Sequence, residues 1–559
     1  MKSTPFFPQV HFSAAMNANQ AGNTPLAKAH AAAVSAALSA AAVYGEWAPL
    51  APLMRSGMLD ACAHFLSSPE FRSQACEVLR HVAHRRRGDT VNSAIASGAA
   101  GVAGGKGLAD HAALAAAGVG ADDEAAREAA ADAAAVVSGL EGMCRGLGIA
   151  AQQVLASPPV DIGSEEAEYA RRLTETIATV ATNHLAVVSD ESLRRAFLEA
   201  LLGLTKYPRL CVLAAAIPAW PGLLRAMGAE LPGTFVRPDK SLGSGVWGVQ
   251  AQGGGPGAAS GTDANKSGML PDGAVVALLE CTRTWLQRGG GLASGLHTTG
   301  APECKGDEWE EEYETRDELR EAWIGLRARL MEVAKLCTAL EPVASASAMA
   351  ESVTAVLGWV QPGGPLDPSK AAMGPDGRSA IDDAIGSALE GCVSFVEPAM
   401  HAVPLTSNPV VANAAAPALE GMLTRMLAVE FTSPVAVSQM SRLLESMGRT
   451  ALVRPDAGAA LLHRLFAVLA GLPTDDVKSP PARAKAAMMA GRTSQAARQR
   501  VCAAILGVCA AAPEVRTHAI TVFPARPACP GPQPDPPRGP APDEILIFSR
   551  FRFPFLHRP

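Results

Sequence analysis

A chain of 559 residues is longer than a single compact core can organise, so several domains or a repeat array are required. Aromatic residues make up only 5% of it while alanine, the best helix former, is abundant, which points to an all-α chain. A formal charge of −6 excludes a protein that coats nucleic acid with its whole surface. The eleven scattered cysteines, with no CxxC pair, exclude a disulfide framework and read as reduced, buried small hydrophobes of an intracellular protein.

Residues 1–26 carry little periodic apolar pattern and are expected to be disordered. The first 45 residues lack Asp and Glu, as an organelle transit peptide would, but basic residues are scarce, and 27–45 read better as a helix. Region 27–87 is expected to hold helical hairpins. Met58, Leu59, Cys62, Phe65 and Leu66 recur at helical spacing before a corner at Ser68, Pro69 and Glu70, where Ser68 is expected to cap the next helix. That second helix would bury Phe71, Ala75, Leu79 and Val82 and expose Arg72, Gln74, Glu77 and Arg80. A hairpin of this size cannot bury its own apolar face, so it needs neighbours of its own kind.

Residues 88–121 turn to Gly, Ala and Ser and form an insertion, and helical repeats resume over 122–231, with predicted helices at 164–188, 190–204 and 209–228. A linker without apolar period covers 232–272. In the repeats of 273–360, a helix at 274–288 places Val276, Leu279, Thr282, Trp285 and Leu286 on one face. A long helix from about 307 to 340 turns Leu319, Trp323, Leu326, Leu330 and Val333 inward. After a Pro/Gly linker at 361–377, further pairs fill 378–513, and the Pro-rich tail 514–559 is expected to be disordered. No apolar run is expected to be long enough to span a bilayer, so no membrane partner is expected. The fold class is an α-solenoid of HEAT-type helical hairpins with disordered insertions.

The residues Glu46-Trp47-Ala48-Pro49-Leu50, the corner Leu66-Ser67-Ser68-Pro69-Glu70-Phe71-Arg72 and the helix through Ala75-Cys76-Glu77 resemble a repeat of the HASTY/exportin-five family of nuclear export receptors. Weaker similarity continues through 164–230, 273–357 and 405–512, so the resemblance covers the central HEAT-repeat portion of such a receptor. It implies a non-enzymatic monomer without cofactors that shuttles between nucleus and cytoplasm. Its implied partners are RanGTP, structured small RNA such as a microRNA precursor or tRNA, protein cargo and nucleoporins. A Ran-independent helical-repeat scaffold is the alternative.

Few residues carry chemistry of their own. Gly243-Ser244-Gly245-Val246-Trp247-Gly248 spells a dinucleotide fingerprint but sits in a linker, and Gly104 to Gly107 lacks the rest of a phosphate loop. The pairs Cys62/His64 and His81/His84 lack second pairs at zinc spacing. An acidic run over 307–318 either grips a basic partner or complements a helix dipole. The candidate phosphate contacts are Arg80, His84, Arg85, Arg86 and Arg87, whose position at a helix C-terminus also suits the dipole there. No catalytic or metal-binding residues are expected.

Overall fold

The computed structural model describes residues 7–85, 124–156, 164–229, 270–292, 312–367, 380–429, 433–452, 454–471 and 484–511. Among these residues there are helices, short 3₁₀ turns and no strand. The helices are α1 (Phe7–Gln20), α2 (Thr24–Trp47), α3 (Leu50–Arg55), α4 (Met58–Phe65), α5 (Arg72–His84), α6 (Glu124–Ala156), α7 (Ser164–Asn183), α8 (Glu191–Thr205), α9 (Leu210–Ala216) and α10 (Trp220–Ala226). They continue with α11 (Ala274–Arg288), α12 (Arg316–Leu340), α13 (Pro342–Val360), α14 (Ala380–Ala402), α15 (Pro409–Ala428), α16 (Pro434–Ser446), α17 (Pro455–Gly471) and α18 (Ala484–Ala511).

Their contacts sort them into two layers. One runs α2, α5, α7, α9 with α10, α12, α14, α16 and α18, each helix packed on the next. The other runs α4 with α3, α6, α8, α11, α13, α15 and α17. Helix α1 joins this second layer through Phe12, whose ring meets Phe65 and Phe71 edge to face at 5.3 and 6.0 Å. Those contacts hold a segment expected to be disordered in a helix, because tertiary burial offsets its weak local pattern. The chain is thus a stack of hairpins with one continuous core between the layers. Phe65, Phe197, Trp220, Trp323 and Phe395 are fully buried in it, each contributing roughly 2 kcal/mol through the area removed from water.

Local chemistry sets the corners. Gly57 opens α4 at φ +72°, a conformation that strains any residue with a Cβ. At the next corner Ser68 accepts from the amides of Phe71 and Arg72 at 3.0 and 2.8 Å with its backbone carbonyl, and α5 has no side-chain cap. The expected Ser68 cap is therefore replaced by a turn. The face expected for α5 is the one buried: Phe71, Ala75, Leu79 and Val82. The single helix expected over 209–228 is broken into α9, a 3₁₀ turn and α10, because Pro218 and Pro221 fall where amide donors would be needed. On α11, Val276 is exposed and Val275 takes the buried place. Helix α12 begins at Arg316, capped by Thr315, near the end of the acidic run rather than at its start near 307.

Among the described residues three helices have the length and apolarity to cross a bilayer, at mean hydropathy 1.4 (α2), 1.2 (Ala131–Ala156 of α6) and 1.3 (α13). The sequence expectation is corrected here, since alanine-rich helices interrupted by glycine still meet both criteria. About half of the apolar window of α13 is buried inside the array, whereas that of α2 is largely exposed.

Candidate functional site

Neighbouring hairpins are joined by the same two devices at several junctions. The first is an arginine reaching the carboxylate of the adjacent helix in the same layer: Arg72 to Glu166, Arg225 to Glu332, Arg327 to Glu390 at 3.4 Å, Arg442 to Glu397 at 2.6 Å and Arg500 to Glu445 at 2.7 Å. The second is a side chain that satisfies the free carbonyls at the end of the preceding helix, which have no donor within their own helix. Arg85 donates to Ala48 at the end of α2, Arg449 to Met400 near the end of α14 at 2.9 Å, and Arg464 to Val429 after α15 at 2.6 Å. Asn183 donates to the Ala83 carbonyl of α5 at 3.1 Å, with the His184 ring 3.0 Å from the same oxygen.

The basic cluster lies within this framework, at the end of α5. Arg80 forks onto Glu77 with Nε at 2.9 Å and Nη2 at 2.6 Å, and its third nitrogen lies 4.0 Å from Glu175 of α7. His81 is 3.1 Å from Glu77, and His84 is 3.8 Å from Glu175. The hydrogen bond from Arg80 holds the Glu77 carboxyl below the usual range and, reciprocally, holds the guanidinium protonated. Burial pushes Arg85 the other way, because a desolvated cation is penalised. Arg86 and Arg87 lie outside the described residues. In the described part of the cluster basic and acidic side chains alternate: Arg80 and Arg85 already have protein partners, and half-exposed His84 is the most accessible of its side chains.

Beside it opens a cleft of about 690 Å³ between α7 and α9, lined by His84, Arg171, Glu175, Thr179, Asn183 and Tyr313 among others. Its edge is rich in paired charge. Arg171 and Arg172 both donate to Glu168, which they hold at about 2. Its rim is fastened by Glu312, whose carboxylate accepts from the amides of Leu210 and Cys211 at 3.1 and 2.9 Å and so caps the first turn of α9. At least this member of the acidic run serves the fold, while residues 307–311 lie outside the described residues. Nothing in the composition marked Glu312 as a cap, because its helix lies about a hundred positions earlier.

Most of the described cysteines are buried, Cys502 on α18 being the exposed one among them. Burial lifts Cys62, Cys144, Cys281 and Cys392 to about 12, and Cys76 to about 11 despite a bond to Thr176. Thiols of that kind are neither nucleophiles nor metal ligands at neutral pH. Among the described residues no three His, Cys, Asp or Glu side chains converge on a point where a metal ion would sit. The two glycine-rich motifs lie outside those residues. What this arrangement does offer is an extended face of paired charges, hydroxyls and small side chains.

A comparison with known families agrees with that architecture. Residues 164–518, more than half of the chain, match the model of the Exportin-5 family. The chain belongs to the exportin-5 family. It is also similar to Protein HASTY 1 of Arabidopsis thaliana, with 24% identity over 503 residues that cover 90% of this chain and 36% of that protein. The chain thus spans about a third of the length of this curated relative. In this exportin-5 family member the family match begins at α7 and runs beyond α18, taking in most of both layers.

Proposed function

We propose that this chain supplies part of the cargo-holding array of a Ran-dependent nuclear export receptor. Its ligands would be structured small RNA and protein cargo, its coupled partner RanGTP, and its route would pass nucleoporins as it shuttles between nucleus and cytoplasm. The observation that carries this reading is the family match over a stack of hairpins that leaves long side-chain faces along both layers. Such a stack flexes by small rotations between repeats and wraps its ligand, making and breaking no covalent bond. If RNA and RanGTP each favour the same curvature, each tightens the other by the same factor.

RNA of this kind is read through phosphates and shape, so binding falls steeply with salt. Within this reading Arg80, His84, Arg85, Arg86 and Arg87 contribute phosphate contacts. Phosphate then competes with Glu77 and Glu175 for Arg80 and His84. Replacing Glu175 by Gln should therefore tighten binding of a hairpin RNA with a short overhang by about twofold to fivefold, as expected for removal of one screened charge. Fluorescence anisotropy over a salt series tests both points. Tighter binding by the variant and a negative salt slope support the reading. A chain that captures protein but shows no salt-dependent RNA affinity is a scaffold instead.

A further inference from the structure

The corner that carries the chain from α7 into α8 is fastened to the second layer by one serine. Ser189 is exposed, and its hydroxyl and its amide both donate to the same carboxylate oxygen of Glu141 on α6, at 2.6 and 3.2 Å. The next residue, Asp190, caps α8 by accepting from the Leu193 amide at 3.1 Å. Helices α6 and α8 pack on each other, and toward their far ends a Cβ on Gly203 would stand 2.6 Å from Cδ1 of Leu155. Close packing thus holds one end of this helix pair and the serine latch holds the other. Two features single the hydroxyl out. Asp190 and Glu191 follow it directly, the charge pattern by which acid-directed serine kinases select a substrate. A receptor for an anion also stands ready: with Asp190 as the N-cap, Ser189 and Arg194 occupy the two positions, N′ and N4, that meet across the first turn of a helix. Among the described residues the buried Nε of Arg194 has no hydrogen-bond partner, so a charged donor beside the serine lacks its acceptor.

We propose that Ser189 is a phosphorylation site and that Arg194 receives the phosphate. The Ser189 hydroxyl oxygen attacks the γ-phosphorus of a nucleoside triphosphate held by the kinase. The bond from that phosphorus to its bridging oxygen breaks, the nucleoside diphosphate leaves, and the hydroxyl proton passes to the carboxylate base of the kinase. As a dianion the phosphate has no hydrogen to donate to Glu141, and its charge is repelled by Glu141 and Asp190 together. Turning toward Arg194, it gains a charge-assisted hydrogen bond within α8. Val188 is buried immediately before the serine, so the kinase reaches its target when the corner opens locally, and pairing with Arg194 then keeps the corner open. Modification exchanges a bond between neighbouring hairpins for one inside a single helix, and so loosens the second layer at the joint of α6 with α8.

The full chain is incubated with ATP and casein kinase II, an acid-directed kinase, and the modified residues are read by mass spectrometry. The proposal expects phosphate on Ser189, arriving about threefold to tenfold faster in Glu141→Gln, which weakens the latch and leaves Asp190 and Glu191 untouched. In phosphorus NMR the signal that Ser189→Ala removes should titrate at a pH about 0.5 lower in the parent than in Arg194→Gln, because a neighbouring guanidinium favours the dianion. A chain left unmodified at Ser189 overturns the proposal. So does a rate indifferent to Glu141→Gln, or a phosphate titration that Arg194→Gln leaves in place.

Discussion

Arg327 and Glu390 fasten α12 to α14 in the middle of the array, and removing the arginine tests whether such bridges set the stacking. Glu390 is only 4% exposed, and Nη1 of Arg327 lies 3.4 Å from its Oε1. Nε of Arg327 also donates to Ser394 at 3.0 Å, and the Ser394 hydroxyl donates to the Glu390 carbonyl at 2.7 Å. At that separation and an effective dielectric near 20 the gross attraction is about 5 kcal/mol. Burial draws the arginine toward its neutral form and returns part of this. Arg327→Met, which keeps the apolar stem, should therefore cost about 3 kcal/mol, because it leaves a buried carboxylate without its cation. Arg327→Met combined with Glu390→Leu should come back to within about 1 kcal/mol of the parent, since the desolvation penalty disappears with the charge. Urea unfolding followed by the fluorescence of Trp323, one turn away on α12, gives the free energies. Hydrogen exchange across α12 and α14 shows whether the loss is confined to that junction. A single variant within about 0.5 kcal/mol of the parent, or a double variant as damaged as the single, would refute the reasoning.

Other positions carry equally direct outcomes. A Cβ on Gly290 would stand 2.2 Å from the Ser387 carbonyl oxygen and 2.8 Å from the Gly391 nitrogen, both backbone atoms, so Gly290→Ala should cost about 3 kcal/mol as α11 is pushed off α14. A melting temperature unchanged from the parent would contradict that close approach. Thr205→Val removes the acceptor 2.9 Å from the buried Trp220 indole nitrogen and should cost about 1 to 3 kcal/mol in urea unfolding, whereas Thr205→Ser should cost less than half of that. The Glu168 carboxyl, held near 2 by Arg171 and Arg172 against a usual 4.5, contributes stability that is complete above about 4.5 and is lost as pH falls toward 2. Because the group is 42% exposed, the contribution is below about 1 kcal/mol, and carbon-detected titration of its carboxyl should show the low midpoint.

The helices were legible because apolar period reports burial faithfully wherever a helix has one inner face. Leu319, Trp323, Leu326, Leu330 and Val333 were placed inward by spacing alone and are buried. Spacing was less reliable at edges, where Val276 fits the apolar arc of α11 but has no neighbour to cover it. The break in 209–228 was signalled by Pro218 and Pro221 and needed only that each proline be weighed against an amide donor. Helix α1 was hidden for the opposite reason: its weak pattern is held by Phe12, and the partners of Phe12 lie more than fifty positions away. The same distance concealed the carbonyl-capping role of Arg85, which sequence could read only as a cation at a helix end. Its acceptors at Gly45 and Ala48 lie about one repeat earlier, and arginines placed one repeat beyond a helix terminus are the signal that would have found it.

The account rests on this stack of hairpins holding a macromolecule along its side-chain faces, and one titration addresses that most directly. The full chain is added to a fluorescent hairpin RNA with a short overhang at a series of salt concentrations, with duplex DNA of equal length as competitor. The account predicts saturable RNA binding, a log–log salt slope of about −2 to −5 from a few phosphate contacts, and weak competition by DNA because the deep A-form geometry is what is recognised. An absence of RNA binding even at the lowest salt, or equal competition by DNA, would contradict it.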